Sequence, residues 1–278
     1  MYSPILPYLT HLGIRLPSSL YSSSLVVSVI LLILSEAQSF YVGSAGFKVA
    51  ASLSFLGGGI DTILAEYYNT TTSAWLKGAR QISLSSSTCL VLGLAFSVVG
   101  DILLIPSPEN YYKRPSDQAN TNEGESPRFK AGTFSFALAH IAYTISFLHD
   151  VAPNAFRKAD FVMGLTFGAM LTLWLGILKK TPTANAWFNV PDGMRVLVTA
   201  YVSIIMIMVA TATATDTGYQ RSAGAWTFMV SDLFVAADVF GVKRTDVQME
   251  GSERPGWRRR AIGWVAYFGA QLLLAGCI

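Results

Sequence analysis

Charged residues are scarce in this chain of 278 residues. They make up 13% of it, whereas 52% of its residues are hydrophobic, and a soluble domain of this size normally has about 25% charged residues. The mean hydropathy is correspondingly high, at +0.43. This composition predicts a polytopic membrane protein and not one with a large soluble core. The net charge of +3 is too small to indicate a nucleic-acid partner.

Cysteine and histidine are also rare. The two cysteines, Cys89 and Cys277, both lie in apolar runs, so we expect packing thiols and neither a disulfide framework nor a zinc site. Of the three histidines only His140 lies well inside an apolar segment, which leaves too few ligands for a metal cluster. The chain also lacks a Gly-x-Ser-x-Gly elbow, a His-Glu-x-x-His pair and a Walker loop.

Eight apolar segments predict an all-α fold with eight transmembrane helices, because only helices and closed barrels span lipid and these segments lack strand alternation. Residues 1–20 form a proline-containing lead-in without a basic leader, so the first helix is expected to be an uncleaved insertion signal. Residues 21–278 form the membrane domain, interrupted by a flexible polar loop at 106–130 and by a short polar loop with the sequon at 69–71. The segments cover about 21–42, 46–66, 81–105, 131–150, 159–179, 193–214, 222–242 and 261–278.

The lysines and arginines are distributed unequally between alternate loops. The lead-in and the loops after the second, fourth and sixth helices hold six of them, and the remaining 14 of the 20 belong to the other four loops. The positive-inside rule places those four loops in the cytosol and both termini on the other side. The sequon then falls on the non-cytosolic side, which agrees with this orientation.

A carboxylate interrupts the third apolar segment at Asp101. An ionisable group at membrane depth costs roughly 2.5–3.5 kcal/mol on insertion scales, so such groups usually face a protein interior or a wet cavity. Ser97 lies one turn earlier on the same face, and the small residues Gly93 and Gly100 allow a neighbouring helix to pack closely. An aspartate at the headgroup level is the alternative interpretation of this position.

Later segments carry similar polar groups. His140 and Tyr143 are three residues apart on the fourth helix, so they could share a face and a proton network. Asp232, preceded by Ser231, lies near the middle of the seventh segment, where a carboxylate must pair, hydrogen-bond or stay protonated. Packing or interhelical hydrogen bonding remains the alternative for each of these residues.

The first, second and eighth segments add four more polar side chains. Tyr267 and Gln271 form a polar stripe on the last helix, where interhelical hydrogen bonding and substrate contact are both open. Lys48 and Glu36 stand near the cytosolic ends of their helices, and each could face the headgroups or a buried partner. A single cavity that opens to the cytosol could gather Lys48, Asp101, His140, Asp232 and Gln271.

Four short motifs stand in an order that resembles the YhhN-like lysoplasmalogenases. The resemblance spans the second to the eighth helix, and Lys48 matches the family's lysine, although the proline that usually follows it is Val49 here. The motifs are Phe96-Ser97-x-x-Gly100-Asp101-x-x-Leu104, Phe136-x-x-Ala139-His140-x-x-Tyr143, Gly224-Ala225-x-x-Phe228-x-x-Ser231-Asp232-x-x-x-Ala236 and Tyr267-x-x-x-Gln271.

This resemblance implies an eight-helix integral membrane enzyme of ether-lipid metabolism. It would hydrolyse the vinyl ether bond of lysoplasmalogens to a fatty aldehyde and glycerophosphoethanolamine or glycerophosphocholine, without a cofactor. Its partners would be the lysophospholipid substrate and the bilayer, with the endoplasmic reticulum or another internal membrane as the location. Asp101, Asp232 and His140 would be the catalytic residues, supported by Lys48, Glu36, Ser97, Tyr143, Ser231, Tyr267 and Gln271.

Vinyl ether hydrolysis needs an acid that protonates carbon, an anion that stabilises the resulting cation, and a base that activates water. Two carboxylates in unlike environments can divide such roles. We expect Asp232 to be the more deeply buried and to act as the acid. Asp101, with which Lys48 could pair, is expected to remain ionised and to orient the water. The reverse assignment stays open, and a proton-coupled transporter or a non-catalytic lysolipid-binding protein is the competing interpretation.

Overall fold

A computed structural model describes residues 13–74, 86–112, 126–149, 151–152, 154–176, 188–215, 219–241 and 256–278. Eight long helices account for most of these residues, and a short helical segment, Pro108–Tyr112, lies between the third and the fourth. The long helices are α1 (Ser19–Ala37), α2 (Tyr41–Ala74), α3 (Ser86–Leu103), α4 (Pro127–His149), α5 (Lys158–Leu175), α6 (Asp192–Thr215), α7 (Gln220–Val239) and α8 (Trp257–Ala275).

The helices α1 to α6 are each long and apolar enough to cross a membrane, which indicates a multi-pass integral membrane protein with an all-α fold. The helices α7 and α8 are not among these six candidate spans. Both carry more polar and charged residues, such as Asp232 and Asp238 on α7 and the basic run 258–260 at the start of α8. All eight predicted helices are present, and six of them qualify as spans on length and hydropathy.

The helices form a closed ring in which each packs on its neighbour. The order is α1, α2, α3, α4, α6, α7 and α8, and α8 then packs on α1 and also reaches α2 and α3. The helix α5 packs on α6 outside this ring, and few of its residues are buried. An antiparallel bridge between Phe188 and Gly241 joins the segment before α6 to the end of α7.

Glycines on α3 allow α4 to pack closely against it, as the sequence predicts. A Cβ atom on Gly93 would clash with the ring of Tyr143, and one on Gly100 would clash with the ring of Phe136. Small residues therefore let α4 press two aromatic rings against the α3 backbone. This close contact fixes α4 beside the turn of α3 that carries Asp101.

Several predicted boundaries differ from the structure. The helix α2 continues to Ala74, so the sequon at 69–71 lies in a helix and not in a loop. Within the predicted flexible loop 106–130, residues 108–112 are helical and α4 begins at Pro127. Tyr111 in that segment is buried; residues 113–125 lie outside the described residues, as do 1–12 of the lead-in and 81–85 of the third predicted segment. Both cysteines are free, as predicted.

Candidate active site

The ring of helices encloses a cavity of about 510 Å³, a size within the range of about 300–1,000 Å³ that is usual for small-molecule sites. Its lining is chemically mixed. Polar side chains from α1, α2, α3, α7 and α8 line it together with apolar side chains, many of which belong to α5 and α6. Asp101 and Asp232 both line this cavity, so the structure brings the two carboxylates together as the sequence predicts.

Asp101 is held by three partners on two helices. Its Oδ1 lies 3.4 Å from the Nζ of Lys48, and its Oδ2 accepts hydrogen bonds of 2.7 Å from Ser52 and from Tyr267. Lys48 and Ser52 are one helical turn apart, so both reach the same carboxylate from α2. Only 2% of Asp101 is exposed, and its charge is balanced by the Lys48 ammonium group.

A directed chain of hydrogen bonds ends on Asp101. Tyr143 donates to Oε1 of Gln271 at 2.9 Å, and Nε2 of Gln271 donates to the Tyr267 hydroxyl at 3.1 Å. Since the Tyr143 proton is directed at Gln271, Ser97, 3.1 Å away, acts as donor to Tyr143. Tyr143, Gln271 and Tyr267 each accept one hydrogen bond in this chain and donate the next. The chain therefore orients the Tyr267 hydroxyl towards the carboxylate.

Asp232 has a different set of partners. Tyr201 donates a hydrogen bond of 3.1 Å to its Oδ2, and the same oxygen lies 3.7 Å from Nε2 of His140. The exposed fraction of the Asp232 side chain is 19%, against 3% for Asp101. The expectation that Asp232 is the more deeply buried of the two is therefore wrong, because α2 and α8 both cover Asp101 whereas Asp232 faces the open cavity.

His140 is fully buried behind Tyr201 and is not among the described residues that line the cavity. Its Nε2 lies 3.3 Å from the Tyr201 hydroxyl and its Nδ1 lies 3.2 Å from the sulfur of Met208. The Phe228 ring lies 4.6 Å from its ring, centroid to centroid. His140 thus reaches the cavity only through Tyr201 and Asp232, as a positioning residue.

The expected proton network between His140 and Tyr143 is not formed among the described residues. Their rings do share a face, with centroids 6.4 Å apart. However, the Tyr143 hydroxyl bonds to Gln271 and Ser97, whereas His140 contacts Tyr201. The polar residues therefore divide into two groups, one around each carboxylate, and the Phe228 ring contacts members of both.

Ser231 lines the cavity, but its hydroxyl is used within its own helix. It donates a hydrogen bond of 2.6 Å to the backbone carbonyl of Phe228. Its support of substrate stays a prediction.

A third group of polar residues lies where the cavity reaches the loops between helices. Glu36 is fully buried; its Oε1 accepts a hydrogen bond of 2.7 Å from Arg260, and its Oε2 accepts bonds from Ser44 at 2.9 Å and Tyr111 at 3.1 Å. Asp238 lies 3.7 Å from Arg260. These five residues all line the cavity, and we call them the mouth cluster. Of the two interpretations of Glu36, the structure selects the buried one.

The sequence analysis did not predict several residues of these groups, among them Ser52, Tyr201 and Arg260. Ser52 stands one turn after Lys48, a spacing that could have indicated a shared target. Tyr201 lies in an apolar run and Arg260 in a run of three arginines. No local pattern distinguishes either of them from a packing or headgroup residue.

Within the described residues, no group of three or more histidine, cysteine, aspartate or glutamate side chains comes together to hold a metal ion. The groups around the two central carboxylates, Asp101 and Asp232, include the Lys48 ammonium, the hydroxyls of Tyr201 and Tyr267, and the buried His140. Such groups can transfer protons and stabilise charge.

Comparison with known proteins gives one match. No curated protein and no solved structure matches the chain. A family model described as the YhhN family matches residues 67–278. This segment contains Asp101 and Asp232, together with His140, Tyr201 and Tyr267. Because the match covers well over half of the sequence, the chain belongs to the YhhN family.

Proposed function

We propose that the protein is a lysoplasmalogenase that hydrolyses the vinyl ether bond of lysoplasmalogens to a fatty aldehyde and a glycerophospho-base. One observation carries this proposal. Two carboxylates with unlike surroundings line a single cavity whose lining combines charged and apolar side chains. A lysolipid combines the same two kinds of group, since its headgroup is charged and its tail is apolar, with the ether bond between them.

In this proposal all eight long helices span the membrane. The helices α7 and α8 miss the hydropathy criterion because they carry residues that face the cavity and not lipid, among them Asp232, Arg260 and Tyr267. The cavity then opens on the cytosolic side, where the loops and the adjoining helix ends together hold 14 of the 20 basic residues. Both termini lie on the other side of the membrane. An internal membrane such as the endoplasmic reticulum is the proposed location.

The reaction starts with transfer of a proton to the terminal alkene carbon of the vinyl ether. The positive charge then rests on the carbon bonded to oxygen, as in the oxocarbenium-like transition states of glycosidases. Water adds to that carbon and loses a proton, which gives a hemiacetal. The hemiacetal hydroxyl then gives up its proton as the carbon–oxygen bond to glycerol breaks and the glycerol oxygen takes a proton, and the fatty aldehyde is released. The net change consumes one water, and no cofactor is needed.

Asp232 is proposed as the acid. Its ion-pair partner among the described residues is His140, and Tyr201 donates to only one of its oxygens, so the group can carry a proton on the other. General acid catalysis of this kind contributes typically about 10²–10⁴ in rate. This assignment follows from the partners of the carboxylate, because the expected burial does not support it.

Asp101 is proposed to remain ionised. The Lys48 ammonium and two hydroxyl donors surround it, and such donors stabilise a carboxylate and not a carboxylic acid. From this position the charge of Asp101 stabilises the oxocarbenium-like cation. Its free lone pairs also orient the water that attacks the cation.

The test is to incubate the purified protein in detergent with a lysoplasmalogen and, separately, with the matching saturated alkyl-ether lysolipid. We expect aldehyde from the first lipid and none from the second, because a saturated ether cannot form the cation by protonation at carbon. Binding of both lipids without aldehyde would identify a non-catalytic lysolipid-binding protein. Movement of a solute between two compartments, again without aldehyde, would identify a transporter.

A further inference from the structure

The mouth cluster contains an ion pair that fold stability alone does not explain. Glu36 is fully buried and accepts bonds from Arg260, Ser44 and Tyr111. Burying a charged pair removes both ions from water, and well-packed apolar residues often give an equal or greater stability. What the arrangement does provide is a fixed orientation for the Arg260 guanidinium group, which lines the cavity with 17% of its side chain exposed.

Arg260 lies on the same face of α8 as Tyr267, whose hydroxyl bonds to Asp101. Arg260, Trp264 and Tyr267 follow one another at helical spacing, and all three line the cavity. At 1.5 Å per residue, Arg260 stands about 10 Å along the helix from Tyr267. On α2, Ser44 and Lys48 are likewise one turn, about 6 Å, apart. The mouth cluster is therefore displaced from the Lys48–Asp101 pair towards the loops by one to two turns.

This displacement matches the structure of a lysolipid. The three carbons of glycerol separate the ether oxygen from the phosphate by about the length of one helical turn, 5.4 Å. A substrate with its vinyl ether beside Asp101 and Tyr267 then places its phosphate between the levels of Tyr267 and Arg260, where the long arginine side chain can meet it. The exposed Arg128 also lines the cavity.

The chemistry of the mouth selects among phosphates. Guanidinium groups bind phosphate oxygens through two parallel hydrogen bonds, which gives both strength and direction. The carboxylates of Glu36 and Asp238 beside Arg260 disfavour a ligand with additional negative charge. Asp238 already pairs with Arg259 at 2.7 Å and lies 3.7 Å from Arg260. The Tyr41 ring, which also lines the cavity, can attract an ammonium group. The combination fits a phosphodiester that carries an amine.

We propose that Arg260, held in position by Glu36, binds the headgroup phosphate of the lysolipid substrate. This proposal rests on the proposed function, since it assigns a phospholipid to the same cavity. It makes Arg260 a binding residue and Glu36 its positioning residue. It also means that a vinyl ether lipid without phosphate is a poor substrate.

Steady-state kinetics on two substrates test the assignment. The ratio of kcat/KM for an alkenyl-glycerophosphocholine to that for the alkenylglycerol of the same chain measures the use of the phosphate. We expect Arg260→Gln to lower this ratio by about 10- to 100-fold, chiefly through KM, as for loss of a charge-assisted hydrogen bond. Arg258→Gln is the matched control: it removes one charge from the same run, at a side chain that lies over the Trp257 ring. An unchanged ratio in Arg260→Gln would overturn the proposal.

A second pair of variants separates positioning from general damage. Glu36→Gln removes the charge that holds Arg260 but keeps the shape of the Glu36 side chain. We therefore expect a smaller fall in the same ratio, again through a rise in KM. Arg260→Lys keeps the charge but not the two parallel bonds, so its ratio should lie between those of the wild type and Arg260→Gln. Equal losses on both substrates in all three variants would show a structural role and contradict the proposal.

A binding measurement distinguishes failure of this proposal from failure of the proposed reaction. Binding of a saturated alkyl-ether glycerophosphocholine and of the matching alkylglycerol is compared in detergent, where no hydrolysis is expected. A preference for the phosphate-bearing lipid that Arg260→Gln abolishes supports the headgroup site even if no aldehyde is ever detected. Aldehyde release with no such preference would leave the reaction standing and remove the role of Arg260.

Discussion

Asp101 and Asp232 line the same cavity but have very different partners. Asp101 is nearly inaccessible and has Lys48, Ser52 and Tyr267 as partners from two other helices. Asp232 is more exposed and has Tyr201 and His140 nearby. The first is fixed and electrostatically balanced, whereas the second can gain or lose a proton without stranding a buried cation. This difference, and not depth in the membrane, assigns them unlike roles in the proposed reaction.

The largest expected effect is that of Asp101→Asn. Turnover of lysoplasmalogen should fall by about 10²–10⁴, and the protein should also lose stability, because the change leaves the Lys48 ammonium without its counter-charge. Removing one member of a buried pair costs about 3 kcal/mol at the lower end of the usual range. Aldehyde release and thermal unfolding in detergent measure the two effects. Asp160→Asn, in an exposed pair with Arg157, is the control and should change neither.

Asp232→Asn should lower turnover by a similar factor but leave the unfolding temperature close to that of the wild type. The reason is that Tyr201 can donate its hydrogen bond to an amide oxygen as it does to the carboxylate, and no lysine or arginine pairs with Asp232 among the described residues. Loss of stability as large as in Asp101→Asn would remove the contrast between the two carboxylates. Full turnover in well-folded Asp232→Asn would remove this residue from the mechanism.

An intermediate effect is expected for Tyr267→Phe. The change removes the bond to Asp101 and leaves the Gln271 amide without its acceptor, which costs about 1–3 kcal/mol for a buried polar group. We expect kcat to fall by roughly tenfold, because Asp101 keeps Lys48 and Ser52. Tyr219→Phe, at an exposed hydroxyl, is the comparison. A loss as large as that of Asp101→Asn would mean that Tyr267 itself takes part in the chemistry.

The smallest effect concerns the apolar part of the cavity lining. Val202 lines the cavity on α6, and Val202→Phe should shorten the space for the tail and shift preference to shorter alkenyl chains. Each methylene group that is excluded costs about 0.8 kcal/mol, or roughly fourfold in binding. Competition between lysoplasmalogens of different length measures the shift, and Val196→Phe, on the exposed face of the same helix, should leave it unchanged. An unaltered preference in Val202→Phe would place the tail elsewhere.

The existence of the eight helices follows from the sequence because each one is marked by its own apolar run. The boundaries were less well predicted: the polar residues at 69–74 extend α2, and Pro108–Tyr112 folds against Glu36. In both cases the polar sequence predicts a loop, whereas the structure has a helix. Residues near helix ends can be polar and still ordered, since their partners lie on other elements that a local pattern does not reveal.

The candidate site was predicted in part. Asp101 and Lys48 pair as expected, because polar groups in an apolar helix must find one another to avoid an unpaired charge in lipid. For Tyr267 the sequence left interhelical bonding and substrate contact open, and its hydroxyl bonds to Asp101. Tyr201 and Arg260 were missed, since a tyrosine in an apolar run and an arginine beside two others are each usual at a membrane surface. Only the packing of α6 and α8 shows that both face the cavity.

By itself the sequence determined that the chain is a bundle of apolar helices with a few costly polar groups inside it, because hydropathy and spacing are local properties. The tertiary structure decided how those groups are divided. Closing the ring brings Tyr201 to Asp232, Tyr267 to Asp101 and Arg260 to Glu36, across separations of 31 to 224 residues. Such pairings depend on which faces of distant helices meet, and that choice is made by packing and not by any single segment.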